Sequence, residues 1–134
     1  MSRRVATWLV VLVGLGLGAG GGATVARAAH HAYPARLLVY AQEWSLSPSR
    51  TTLPAGRVVV QLWNRGMDPH DLRARRLAGG RMVGHTFAVH LTLPGRVSTA
   101  TWTLRPGRYQ LYCSLPGHMK AGMRVQITVR RRRF

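Results

Sequence analysis

Beyond Arg36 the apolar residues recur at every second position rather than at helical spacing, and short proline, glycine and asparagine signals interrupt the runs. A strand sends successive side chains to opposite faces, whereas a helix needs spacings of three and four, so this part of the chain reads as all β. Leu38, Tyr40, Gln42 and Trp44 share one strand face. Val58, Val60 and Leu62 share another, bounded by Pro54-Ala55-Gly56 and Asn64-Arg65-Gly66. Further strands are expected over Asp71 to Leu77, Thr86 to Leu93, Val97 to Leu104, Arg108 to Cys113 and Arg124 to Val129, with Gly79-Gly80, Pro94-Gly95 and Pro106-Gly107 at the turns. Seven to eight short strands with such turns predict a β-sandwich. The pattern contains no convincing helix and no internal repeat.

The chain opens differently. Met-Ser-Arg-Arg is basic, Val5 through Ala26 carry no charge, and Ala26-Arg27-Ala28 has the small-x-small form that signal peptidase reads. Residues 1–28 are therefore read as an export signal cleaved after Ala28, with an uncleaved membrane anchor as the alternative. The mature protein is expected in the periplasm or another extracytoplasmic space. Residues 29–36 form a linker and 37–134 the domain, ending in a disordered basic tail, Arg130 to Arg133. With 134 residues the chain fits one domain.

Cys113 is the single cysteine, so no internal disulfide can form, and an exported free thiol needs a reason. Its neighbours supply one. Tyr109, Leu111 and Cys113 fall on the same strand phase, so the sulfur stands at the core-facing end of a strand. Pro116-Gly117 then bends the chain back to present His118, and a bend at Gly122 returns Met123 before the final strand resumes. Thiolate, imidazole and thioether together suit copper, and two histidines with one cysteine and a weak axial methionine form an electron-transfer site. His70, at a strand start after the turn Asn64 to Pro69, supplies the second imidazole. His85 and His90 read as strand residues, not ligands. Ala29-His30-His31 would be a cupric chelate only if cleavage freed the Ala29 amine.

The spacing Cys113-x4-His118-x4-Met123 resembles the ligand loop of the cupredoxins, the small blue copper proteins, and among them auracyanin, rusticyanin and sulfocyanin. Pro54-Ala55-Gly56 and Pro106-Gly107-Arg108-Tyr109 also match recurring family features, and the resemblance runs from Leu37 to Val129. It implies a Greek-key sandwich with one type 1 copper ion, cycling between Cu(I) and Cu(II), at one end. His70, Cys113 and His118 would be equatorial ligands and Met123 axial. It also implies that His118 lies near the surface, where Met67, Pro69, Leu115, Pro116 and Met119 can form an apolar collar. Where related sequences often carry Asn after the first histidine, this chain has Asp71, which leaves the hydrogen bond behind the ligands unassigned.

The expected role is that of a single-electron carrier, not an enzyme. A copper storage or delivery protein, or the electron-transfer module of a larger copper enzyme, is the alternative. Twenty basic residues face three acids, Glu43, Asp68 and Asp71, for a formal charge of +17. Such a field favours redox partners with acidic surfaces and peripheral contact with an anionic membrane. Nucleic acid is disfavoured, because no basic helical stripe or aromatic RNA-binding motif is present. The carrier is expected to be a monomer.

Overall fold

The structure is a computed structural model that describes residues 33–133. The export signal, the scissile Ala28 and the Ala29-His30-His31 segment lie outside the described residues. Among the described residues no helix is long and apolar enough to cross a membrane.

Among the described residues nine strands and one short helix follow in the order β1 (Ala35–Gln42), β2 (Ser45–Pro48), β3 (Thr52–Pro54), β4 (Gly56–Asn64), β5 (His70–Ala78), β6 (Arg81–Thr92), β7 (Val97–Leu104), β8 (Gly107–Tyr112), α1 (His118–Ala121) and β9 (Arg124–Arg130). They form two mixed sheets, one ordered β2-β1-β4-β7 and the other β3-β9-β8-β5-β6. The chain crosses between the sheets after β2, β3, β4, β6 and β7, as a Greek-key sandwich allows. β1 pairs β4 in parallel and β3 pairs β9 in parallel; the other neighbours are antiparallel.

The alternation seen in the sequence closes the core. Val58, Val60 and Leu62 of β4 are buried against Leu37, Val39 and Ala41 of β1, Trp102 and Leu104 of β7, and Leu111, Ile127 and Val129 of the facing sheet. Each Val or Leu removed from water in this way contributes about 1.5–3 kcal/mol. The Trp102 indole N–H, which would otherwise be stranded, donates to the Ala88 carbonyl at 3.1 Å.

Four expectations need correction. Among the described residues there are nine strands rather than seven or eight, because β2 and β3 are too short to display an alternation of their own. Trp44, expected to share a β1 face with Leu38, Tyr40 and Gln42, stands beyond the strand end, and that face is the outer one. The inner face uses the small Ala41, whose modest hydrophobicity hid the phase. β1 also begins at Ala35, inside the segment read as linker. Finally, the basic tail is not wholly free: Arg130 belongs to β9, and the Arg132 guanidinium donates to the carbonyls of Ala55 at 3.0 Å and Tyr33 at 3.2 Å.

Candidate metal centre

The strand register brings the chemistry to one end of the sandwich. β5 and β8 run antiparallel with Arg73 opposite Tyr112; continuing that register sets Asp71 opposite Ser114 and places His70 beside the chain that leaves β8 at Cys113. β8 and β9 pair with Tyr112 opposite Arg124, so the next rung joins Cys113 to Met123, and the Cys113 N–H donates to the Met123 carbonyl at 3.1 Å. The ligand loop is thus a hairpin connection closed at its own base.

Within that loop the turn residues act as the sequence indicates. Gly117, with φ of 82°, adopts the left-handed conformation that a side chain would resist, and the chain enters the single turn α1 with His118 at its start. The Met123 N–H then donates to the His118 carbonyl at 3.0 Å, fixing one loop residue against the other. Gly122 passes so close to the Trp44 carbonyl that a β-carbon there would lie 2.8 Å from the oxygen. No other residue fits without moving the β1–β2 turn.

His70 Nδ1 and His118 Nδ1 face each other at 3.2 Å, and Cys113 Sγ lies 3.6 Å from His118 Nδ1. The three side chains each offer one donor atom, all within 4.8 Å of one another. His70, Cys113 and Met123 are fully buried and His118 is half-buried. Burial pushes the Cys113 thiol pKa up; backbone hydrogen bonds at Leu115 and Asp71 offset part of the rise, and the Asp71 charge adds a lesser increment to it. A cation reverses that balance, since a coordinated thiol loses its proton outright. Convergent soft and imidazole donors around a buried sulfur therefore fit copper. The four residues singled out in the sequence share one end of the fold, while His85 and His90 are exposed on β6, His85 edge-on to Phe87 at 4.7 Å.

Asp71 supplies the connection left open in the sequence. Its carboxylate accepts from the Ser114 N–H at 2.6 Å, the Ser114 hydroxyl at 2.5 Å and Arg73 Nε at 2.8 Å. This ties the residue after one ligand to the residue after another. Burial raises the Asp71 pKa, but the Ser114 hydroxyl and N–H, the Arg73 guanidinium and the Cys113 thiol together hold it below the ordinary carboxylate value.

Three positioning residues escaped sequence reasoning. Asn64, fully buried at the end of β4, donates to the carbonyls of Asp68 at 2.7 Å and Thr92 at 2.9 Å and accepts from the Gly66 N–H at 2.9 Å, which shapes the loop leading to His70. Its only sequence signal is its place in a turn. Glu43 accepts from His70 Nε2 at 3.0 Å and from the N–H groups of Met67 and Asp68, each at 2.8 Å. The Asp68 N–H and the Glu43 backbone N–H are the main causes that lower its pKa to about 2. Its signal was rarity, as one of three acids in the chain. Trp44 lies edge-on to the His118 ring at 4.9 Å and extends the expected apolar collar.

A β-sandwich of this topology, with its donors gathered at one end, is a cupredoxin fold. No protein-family model matches the sequence, and no curated protein matches it. Among solved structures the chain is similar to auracyanin A, a "blue" copper protein from Chloroflexus aurantiacus, at a TM-score of 0.57 and 15% identity over 73% of this chain and 100% of that one. It is also similar to auracyanin B, at 0.57 and 20% identity over 73% and 91% of the two chains, and to rusticyanin from Thiobacillus ferrooxidans, at 0.59 and 17% over 71% and 76%.

Proposed function

We propose that this protein is a type 1 copper electron carrier with His70, Cys113, His118 and Met123 as its ligands. The observation that carries the reading is the convergence of His70 Nδ1, Cys113 Sγ and His118 Nδ1 within 4.8 Å at a buried end of the sandwich. Copper held there supplies a one-electron couple without making or breaking a substrate bond. The protein's part is to keep the donors in place through both oxidation states. β5, β8 and β9 fix the ligand positions, the Asp71–Ser114 hydrogen bonds tie two of those strands together, and the Cys113–Met123 backbone bond closes the loop.

Burial of three of the four ligands favours a carrier over a storage or delivery protein, which must surrender its ion to an acceptor. His118, half-buried between Trp44 and the loop, is the route by which electrons leave and enter. Partners dock over it on an apolar surface that includes Met67, Pro116 and Met119. Arg65, Arg96 and Lys120 in the surrounding loops favour an acidic partner. The working location is extracytoplasmic, reached through the signal in residues 1–28.

Loading with Cu(II) and recording the visible spectrum tests the proposal. An intense thiolate-to-copper band is expected in the native protein and is lost in Cys113→Ser, which still folds because the smaller hydroxyl fits the buried site. A colourless native protein, or a Cys113→Ser variant that keeps the band, refutes it.

A further inference from the structure

Glu43 stands in the turn between β1 and β2, whereas His70 opens β5 of the other sheet, and the two meet only through their side chains. Glu43 belongs to the turn after β1, and its side chain is 23% exposed whereas that of His70 is wholly buried. The carboxylate reaches over the β4–β5 loop, where the Met67 and Asp68 N–H groups hold it at 2.8 Å each, and meets His70 Nε2 at 3.0 Å. The space is shaped for it: a β-carbon at Gly66 would overlap the Glu43 carboxylate.

The two ring nitrogens of His70 then have separate tasks. Nδ1 faces His118 and the thiol, so it is the nitrogen available to a metal; the ring proton must sit on Nε2, the nitrogen that faces Glu43. A carboxylate that accepts from the far nitrogen of a ligand imidazole fixes the ring plane and raises its donor strength. Stronger donation stabilises the dication more than the monocation. Among the described residues Glu43 makes no contact with Arg or Lys within ion-pair distance, so its negative charge is directed at this ligand.

We infer that Glu43 is a positioning residue that orients His70 and lowers the reduction potential of the copper site. The inference rests on the copper reading above, and its geometry is independent of whether copper is bound. A loop clamp alone would need only the two backbone hydrogen bonds. Glu43→Gln separates the roles, because its amide oxygen can still accept those bonds while the charge is gone.

Glu43→Gln is expected to reduce the preference for Cu(II) over Cu(I) about tenfold, at the low end of effects seen for such partners because the carboxylate is partly solvated. Tenfold is about 59 mV upward for a one-electron couple. Glu43→Asp, which keeps the charge, should restore part of the shift. In the native protein without metal, long-range proton–nitrogen NMR should place the His70 proton on Nε2, and in the Cu(I) form that proton should be downfield and slow to exchange. An unchanged potential in Glu43→Gln with the copper band intact overturns the inference and leaves the copper reading standing. A His70 proton on Nδ1, or an Nε2 proton in rapid exchange, overturns it too, and this native-protein measurement decides the matter even if the variants fail to fold. Absence of the copper band in native protein refutes the copper reading alone.

Discussion

Replacing Asp71 with alanine removes the acceptor for three donors, and their surroundings set the size of the loss. The Ser114 N–H is held at 2.6 Å by a carboxylate that is 3% exposed, and it has no other partner among the described residues. A hydrogen bond to a charged group contributes about 1.5–3 kcal/mol, and removing the carboxylate forfeits that contribution at this part-buried donor. The Ser114 hydroxyl can turn to water, since the residue is exposed, and Arg73 is 36% exposed, so its ion pair adds about 0–1 kcal/mol. The total is about 1.5–4 kcal/mol. Asp71→Asn keeps an oxygen before the Ser114 N–H and loses mainly the charge assistance, so about 1 kcal/mol is expected. With urea slopes of about 1–3 kcal/mol per molar, the alanine variant should unfold about 0.5–4 M earlier, and the asparagine variant about a third as far. Urea unfolding followed by far-UV circular dichroism, without copper so that metal linkage does not enter, measures both. Because the folded-state pKa of Asp71 is lowered, its contribution is complete above the unfolded value of about 3.9 and is lost as pH falls through the folded value. The alanine deficit should therefore shrink in acid. Equal effects of the two substitutions, or a deficit independent of pH down to acid unfolding, refute the assignment of Asp71 as the tie between β5 and the ligand loop.

Met123→Leu should leave a coloured site with a raised potential, since losing a weak donor disfavours the cupric state; cyclic voltammetry that finds no change would remove Met123 from the ligand set. Electron transfer to an acidic partner should slow as salt shortens the screening length from ~10 Å at 0.1 M to ~3 Å at 1 M, while Met119→Lys impairs it at every salt level; stopped-flow rates indifferent to both would place electron exit elsewhere. If residues 1–28 are removed on export, mass spectrometry of protein from its native host should find a chain starting at Ala29, and an intact Met1 in the membrane fraction would favour an anchor.

Most of the sandwich was legible because a buried strand must repeat its apolar residues with period two, and β4, β7, β8 and β9 do so in long enough runs. β1 was legible as a strand but its inward face was not, because Ala41 is a weak hydrophobic marker and Tyr40 and Trp44 are strong ones. The ligand loop was legible because its residues are sequential and their donor types are rare together. What supports the ligands was not. Asp71 approaches Ser114 through the pairing of distant strands, and Glu43 reaches His70 from a turn of the opposite sheet, so no local spacing encodes either contact. Even α1 was hidden, since one turn between two glycines carries no periodicity of its own.

The distribution of acids links stability to electron transfer. In a chain of +17, Glu43 and Asp71 both contact groups at the metal end, and Asp68 lies in the loop between them. The two contacting carboxylates are not equivalent. Arg73 sits 2.8 Å from Asp71 and offsets much of its charge, so Asp71 acts chiefly as an acceptor that joins two segments. Glu43 meets a ligand ring directly and has no such arginine among the described residues, so its charge remains to act on the site. The same neutralising substitution should therefore rank oppositely in two assays: Glu43→Gln moves the potential more than Asp71→Asn, whereas Asp71→Ala lowers stability more than Glu43→Gln. If Asp71→Asn moved the potential as far as Glu43→Gln, the Arg73 pair would not be screening Asp71, and the separation between a structural and an electrostatic carboxylate would fail.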